Sequence, residues 1–232
     1  MSGNDTKERI LAAAEQLIAD RGFAATSLRT VTAAAGVNLA AVHYHFGTKE
    51  ALIETLLTRR IAEINRRRRT MVSALEAEGR LDDRHALVTA IAMPLAEKVQ
   101  TTPEGTHYVR FLAHLFADRP RRDTLIARGS EAALLRRLYK ALRALTPDIP
   151  ELIWNERLRL VVGGIIYALA DRERMRAAGD PAWNALPEAA FVGNLIDTGV
   201  AILNAPISPA TARGADAADK TRAKEEADVA DR

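Results

Sequence analysis

Cysteine is absent from the 232 residues, which excludes disulfides, thiolate nucleophiles and sulfur-ligated metal sites. Aromatic residues amount to 5%, so the core must come from aliphatic side chains; alanine, leucine and arginine dominate, and these favour helices. No window reaches 18 uninterrupted apolar residues, so no transmembrane helix is expected. The opening MSGNDTKER lacks the apolar run of a signal peptide, and a cytoplasmic protein without a membrane partner is expected. No segment alternates convincingly with period two, which argues against a sheet. Neither a nucleophile–base pair, a glycine-rich phosphate loop nor a carboxylate–histidine metal spacing is found. The expectation is therefore no enzyme, with no catalytic residues, cofactor or metal.

What is present is an all-α pattern, 48% hydrophobic and 27% charged, the balance of a globular protein with ample core. The formal net charge of +3 is unevenly spread. Between Arg21 and Arg69 nine basic residues face the acids Glu50, Glu54 and Glu63, so this window carries +6 and the remainder −3. Phosphate binding draws on such local excess.

The stretch Thr26–Lys49, TSLRTVTAAAGVNLAAVHYHFGTK, reads as two short helices and the cap of a third. Ser27 caps the first, Gly36 closes it in the left-handed conformation, and Asn38 and Thr48 cap the next two. Two helices across a tight glycine turn make a helix-turn-helix, whose second helix fits the DNA major groove. A preceding helix is expected from Asp5, with Glu8 in a capping-box position, to just before Gly22. Its stripe Ile10, Ala13, Ala14, Leu17 and Ile18 closes with Phe23, Leu28, Val31, Val37, Val42 and Phe46 into a small core. Val42 and Phe46 lie one turn apart facing inward, leaving Leu39, Ala40, His43 and Tyr44 outward.

The residues Gly22-Phe23, Thr26-Ser27, Ala35-Gly36-Val37, Tyr44-His45-Phe46 and Lys49-Glu50-Ala51-Leu52 stand, in order, at the spacing of one family. Over residues 6 to 60 the chain resembles the N-terminal domain of the TetR family of bacterial transcriptional regulators. The resemblance implies a ligand-responsive, DNA-binding regulator, most simply a homodimeric repressor that leaves a palindromic double-stranded operator when a small effector binds, and a nucleoid-associated location. It makes Asn38, Leu39, Ala40, His43 and Tyr44 groove-facing, and Ser27, Arg29, Tyr44, His45 and Lys49 phosphate or backbone contacts. Lys49 is also placed by physics, since an anion at the N-terminus of its helix is favoured by the dipole. Position 43 commonly holds tyrosine in the family and here holds histidine; position 39, often polar, is leucine, which can touch only a thymine methyl or a sugar. Affinity is then expected from phosphates and DNA shape more than from base edges. His43 and His45 are not expected to bind metal, because their rings diverge by about 200° on a helix.

Residues 1–50 are thus expected to form the DNA-binding headpiece, 51–205 a helical effector-binding and dimerisation domain, and 206–232 a disordered tail. A long helix from Thr48 to about Glu78 joins the first two. Arg66–Arg69 lies about 25 Å beyond Lys49 along it, past a Debye length of ~8 Å, and reads as a solvated face. Five more helices follow: Asp83–Gln100, kinked or broken at Pro94; Gly105–Phe116; Arg121–Leu145; Glu151–Ala178; and Pro187–Asn204. For the ligand pocket that the resemblance implies, Met93, His107, Tyr108, Arg110, Phe111, His114 and Leu115 are the candidates, with Phe116 beside them and Arg159 as another cation. A lipophilic acyl or aromatic effector is preferred; ordinary core packing is the alternative. The final two helices, with Trp154, Leu158, Val161, Val162, Gly163-Gly164, Ile165, Leu169, Phe191, Leu195, Ile196, Val200 and Leu203, are the implied homodimer interface, or else internal core. An activator, a ligand-independent regulator of the same fold, and a helical protein-interaction scaffold remain open.

Overall fold

Short-range capping chemistry sets the boundaries of the first helices in the computed structural model, which describes residues 3–101, 103–118, 132–179 and 185–215, with residues 181, 217, 218 and 221. α1 (Gly3–Ala25) starts two residues before Asp5, and Gly22 interrupts it with φ 77° and ψ 174°. The helix proper therefore ends where expected. Asp5 lies inside the first turn rather than at the cap, and Glu8 pairs with Arg59. α2 (Leu28–Ala35) begins with a reciprocal cap: Thr30 N donates to Ser27 Oγ and Ser27 N to Thr30 Oγ1, at 3.1 and 2.9 Å. Gly36 then ends it at φ 62°. Asn38 caps α3 (Leu39–Phe46) by accepting from Ala41 N at 2.8 Å, and Thr48 caps α4 (Lys49–Ala77) by accepting from Ala51 N at 3.1 Å.

The body consists of α5 (Arg84–Thr101), α6 (Pro103–Ala117), α7 (Ala132–Ala144), α8 (Glu151–Ala177) and α9 (Glu188–Asn204). No strand occurs among the described residues. The N-terminal part of the helix expected at Arg121–Leu145, residues 121–131, lies outside the described residues. One continuous apolar core runs from Ile10, Ile18, Val42 and Phe46 in the headpiece to Leu87, Leu138, Leu169 and Leu203 in the body. The headpiece, too small to be robust alone, is stabilised by this continuity.

Pro94 does not break α5, which runs through it. A proline lacks the N–H that would bond the carbonyl four residues back, here Ala90. Arg68 from α4 fills that vacancy, donating Nε to Ala90 O at 3.0 Å and Nη2 to Ile91 O at 3.3 Å. Arg66–Arg69 is accordingly not one solvated face. Arg67 forks onto Glu97, both bonds 2.8 Å, and Arg68 is buried.

Close helix crossings are made at Gly105 and Gly199 rather than at Gly163-Gly164. A methyl group on Gly199 would stand 3.0 Å from Val88 and 3.2 Å from Val161, and one on Gly105 would collide with the Lys98 carbonyl. Nothing lies within 4 Å of such a group at Gly163 or Gly164. Disorder was expected from residue 206, but Pro209–Ala215 is a short helix, α10. Ser208 caps it through Thr211 N, and Ala215 is buried. Residue 216 and almost all of 219–232 fall outside the described residues.

Candidate DNA interface

α3 presents the face that DNA would meet. Val42 and Phe46 are buried, whereas Leu39 is 42% and Tyr44 86% exposed; Ala40 and His43 are exposed beside them. A tyrosine this exposed makes little contribution to folding. His43 Nδ1 lies 2.7 Å from the Gly47 carbonyl, so that nitrogen is the donor and Nε2 is left for another partner. The His45 ring lies edge-on to Tyr44, centroids 5.1 Å apart, and 6.1 Å from Phe46, so it braces the tyrosine. Asn38 and Ser27 are exposed, but their side chains already cap helices. Their first duty is to orient α3 and α2.

Lys49 also has an intramolecular partner. Its Nζ donates to Phe23 O at 2.6 Å, tying the start of α4 to the end of α1 while leaving two N–H groups for a phosphate. Arg29 is exposed at the start of α2. Arg9, absent from the expected contacts, holds the turn of the motif from behind by donating to the carbonyls of Ala35 and Gly36. The +6 window is partly neutralised within the fold. Arg59 pairs with Glu8, Arg60 with Glu15 and Glu63, and Arg67 with Glu97. What remains for DNA is a modest positive field around a shaped surface.

Family comparison agrees with this geometry. The family model described as "Bacterial regulatory proteins, tetR family" matches residues 10–56, and "Tetracyclin repressor-like, C-terminal domain" matches 89–201. The "HTH-type transcriptional repressor Rv3405c" of Mycobacterium tuberculosis is 36% identical over 171 residues, covering 70% of this chain and 87% of that one. The "HTH-type transcriptional regulator Mb3439c" of Mycobacterium bovis matches equally. The chain belongs to the TetR family. It is a helix-turn-helix, DNA-binding transcriptional regulator. A crystal structure of a Rhodococcus transcriptional regulator aligns at 23% identity over 85% of this chain and 95% of that one, with a TM-score of 0.42.

Within this TetR-family body, the candidate ligand residues divide. Phe111 packs edge-on against Phe23, centroids 5.4 Å apart. Arg110 pairs with Asp20 at 3.0 Å, and His114 lies against Gly22, 3.3 Å from where a Cβ would stand. These three face α1 and join headpiece to body. The Arg159 guanidinium is turned to Glu156 at 3.0 Å. Tyr108 and Leu115 are buried, and Met93 and His107 half-buried. Burial pushes the Tyr108 phenol well above its ordinary pKa, against the pull of Arg68 nearby.

The coupling between headpiece and body rests on polar residues that sequence reasoning missed. Glu15, 2% exposed, accepts from Arg60 Nε at 3.0 Å and Nη2 at 2.6 Å. Burial lowers the Arg60 pKa, but Glu15 and Glu63 outweigh it and hold the guanidinium above its ordinary value. Glu63 also meets Lys98 at 3.1 Å. The available signal was Glu15 itself, an acid at helical spacing between Leu11 and Ile18.

Of the two final helices, Trp154, Leu158, Val161, Ile165, Leu169, Phe191, Ile196 and Leu203 are buried within the chain. They belong to the chain's own core. The opposite side of α8 carries Leu160 and Tyr167, 54% and 64% exposed, with exposed Gly164 between them. No single helix among the described residues is long and apolar enough to cross a membrane.

Proposed function

We propose that this regulator is a homodimeric repressor, acting by binding alone in the cytoplasm on nucleoid DNA, and released from a palindromic operator by a small effector. The observation that carries it is Tyr44. It stands 86% exposed on a recognition helix capped by Asn38 and closed at Gly47, with Leu39, Ala40 and His43 beside it. Base contact falls to Asn38, His43 and Tyr44, with a methyl or sugar contact at Leu39 and Ala40. Ser27, Arg29, His45 and Lys49 serve the backbone. Leu160, Gly164 and Tyr167, at i, i+4 and i+7 on α8, support a two-fold contact. Such a dimer sets two headpieces one DNA turn, about 34–36 Å, apart. The name of the tuberculosis relative supports repression as the sign of control.

Release works as a population shift. An effector in the body favours an arrangement in which the α1–α6 and α1–α4 contacts hold the headpieces at the wrong separation. Fluorescence anisotropy on the DNA flanking its own gene tests this. Salt-sensitive binding to a palindrome, lost in Tyr44→Ala, is expected; absence of binding to any palindrome there refutes it.

A further inference from the structure

Arg68 lies between α4 and α5, 7% exposed, with Tyr108 of α6 and Tyr139 of α7 close enough to couple to its charge. Its guanidinium donates to Ala90 O, Ile91 O and Asn65 Oδ1, so neutral acceptors take three of its five N–H groups. Among the described residues no carboxylate is paired with it. The ionic groups upstream on α4 are already matched, since Glu15 and Glu63 hold Arg60 and Lys98. Among the described residues Arg68 thus carries a buried positive charge without a counter-ion. An arginine cannot shed its proton to relieve this, and a desolvated charge without a counter-ion is costly. Beside it Asn65, 1% exposed, has an Nδ2 with no acceptor. The unmatched donors of this pair are two guanidinium N–H groups and Asn65 Nδ2. An acceptor-only anion answers both, and carboxylate matches the planar guanidinium.

We propose that Arg68 and Asn65 form the head-group site of the effector, and that the effector is a small carboxylic acid. This rests on the effector-release reading above and names its ligand class. Val72, one turn on from Arg68 in α4, and Ile91, whose carbonyl Arg68 bonds, are the apolar neighbours that would meet the rest of the acid. The site also contains a route to DNA. The guanidinium that would bind the acid closes the backbone vacancy at Pro94, so drawing it away from Ala90 and Ile91 shifts α4 against α5. Arg60, about 12 Å along α4, passes that shift to Glu15 in α1.

The test uses the full chain, with sodium octanoate, benzoate and salicylate as probes and their amides as neutral controls. Melting temperature and operator anisotropy are read in parallel. At least one acid is expected to raise the melting temperature and release the operator at roughly tenfold lower concentration than its amide, the order of a charge-assisted hydrogen bond. Arg68→Gln removes this preference, whereas Arg66→Gln, at an exposed neighbour, retains it. Asn65→Asp supplies an internal carboxylate, so the ligand-free protein melts higher and no longer distinguishes acid from amide. Three results each overturn the proposal: amides equal to their acids, no acid moving the melting temperature, or Asn65→Asp melting below the parent. Failure of the protein to bind any operator refutes the repressor reading instead, and the melting arm still decides the acid preference.

Discussion

Tyr44 and Lys49, both proposed DNA contacts, differ in what they do for the fold. Tyr44 is almost wholly exposed, so Tyr44→Ala is expected to leave the urea midpoint unchanged within about 0.5 kcal/mol while weakening operator binding at least tenfold. Lys49 bonds the Phe23 carbonyl. Lys49→Ala is therefore expected to cost about 1 kcal/mol of stability as well as affinity. A midpoint shift larger for Tyr44→Ala than for Lys49→Ala would contradict both assignments. The outward position of Tyr44 was legible from the inward spacing of Val42 and Phe46. The tie from Lys49 was not, because its acceptor is a backbone carbonyl 26 positions away, and carbonyls leave no mark in composition.

At the scale of elements, the headpiece is locked to α4 by the Glu15–Arg60 pair, with side chains 3% and 16% exposed. Removing one partner of a buried pair strands the other charge. Glu15→Gln is expected to destabilise by about 3 kcal/mol in urea unfolding, with increased hydrogen exchange in α1. Acid should loosen a nearby link. Burial raises the Glu63 pKa, but Lys98 and Arg60 outweigh it and hold the carboxyl below its ordinary 4.5. Arg67 draws Glu97 down more directly, partly opposed by burial. The unfolded chain then binds more protons than the folded one as pH falls through the ordinary carboxylate range. This contribution is complete above that range and is lost as pH drops towards the lowered folded values. Melting temperature is expected to stay level from pH 7 to about 5 and fall below it, with a shallower fall in the Glu63→Gln, Glu97→Gln double variant. An unchanged slope in that variant would assign the acid sensitivity to other groups.

For the whole molecule, the exposed stripe of Leu160, Gly164 and Tyr167 has consequences only if two copies meet there. Replacing Leu160 and Tyr167 together by glutamate is expected to give a monomer in sedimentation velocity with a near-parental melting curve at low concentration, and to abolish binding to a two-half-site operator. A dimer that persists would place the interface elsewhere. By contrast Gly199→Val, at the crossing of α9 with Val88 and Val161, is expected to cost about 1–3 kcal/mol through overpacking.

Local chemistry was sufficient for the headpiece. Ser27, Gly36, Asn38 and Thr48 cap or end helices through bonds to residues at most four positions away, and such bonds are set by neighbours in the chain. The same holds for the all-helical body and for Val42 and Phe46 as core, since periodicity carries burial. Long-range contacts decided the rest. Phe111, Arg110 and His114 are brought against α1 by packing that their own sequence does not specify. The close helix crossings within the chain belong to Gly105 and Gly199. Pro94 looked like a break because the chain itself offers no donor to the carbonyl it frees. That donor comes from Arg68, more than twenty positions away, and only the packing of α4 on α5 brings it there.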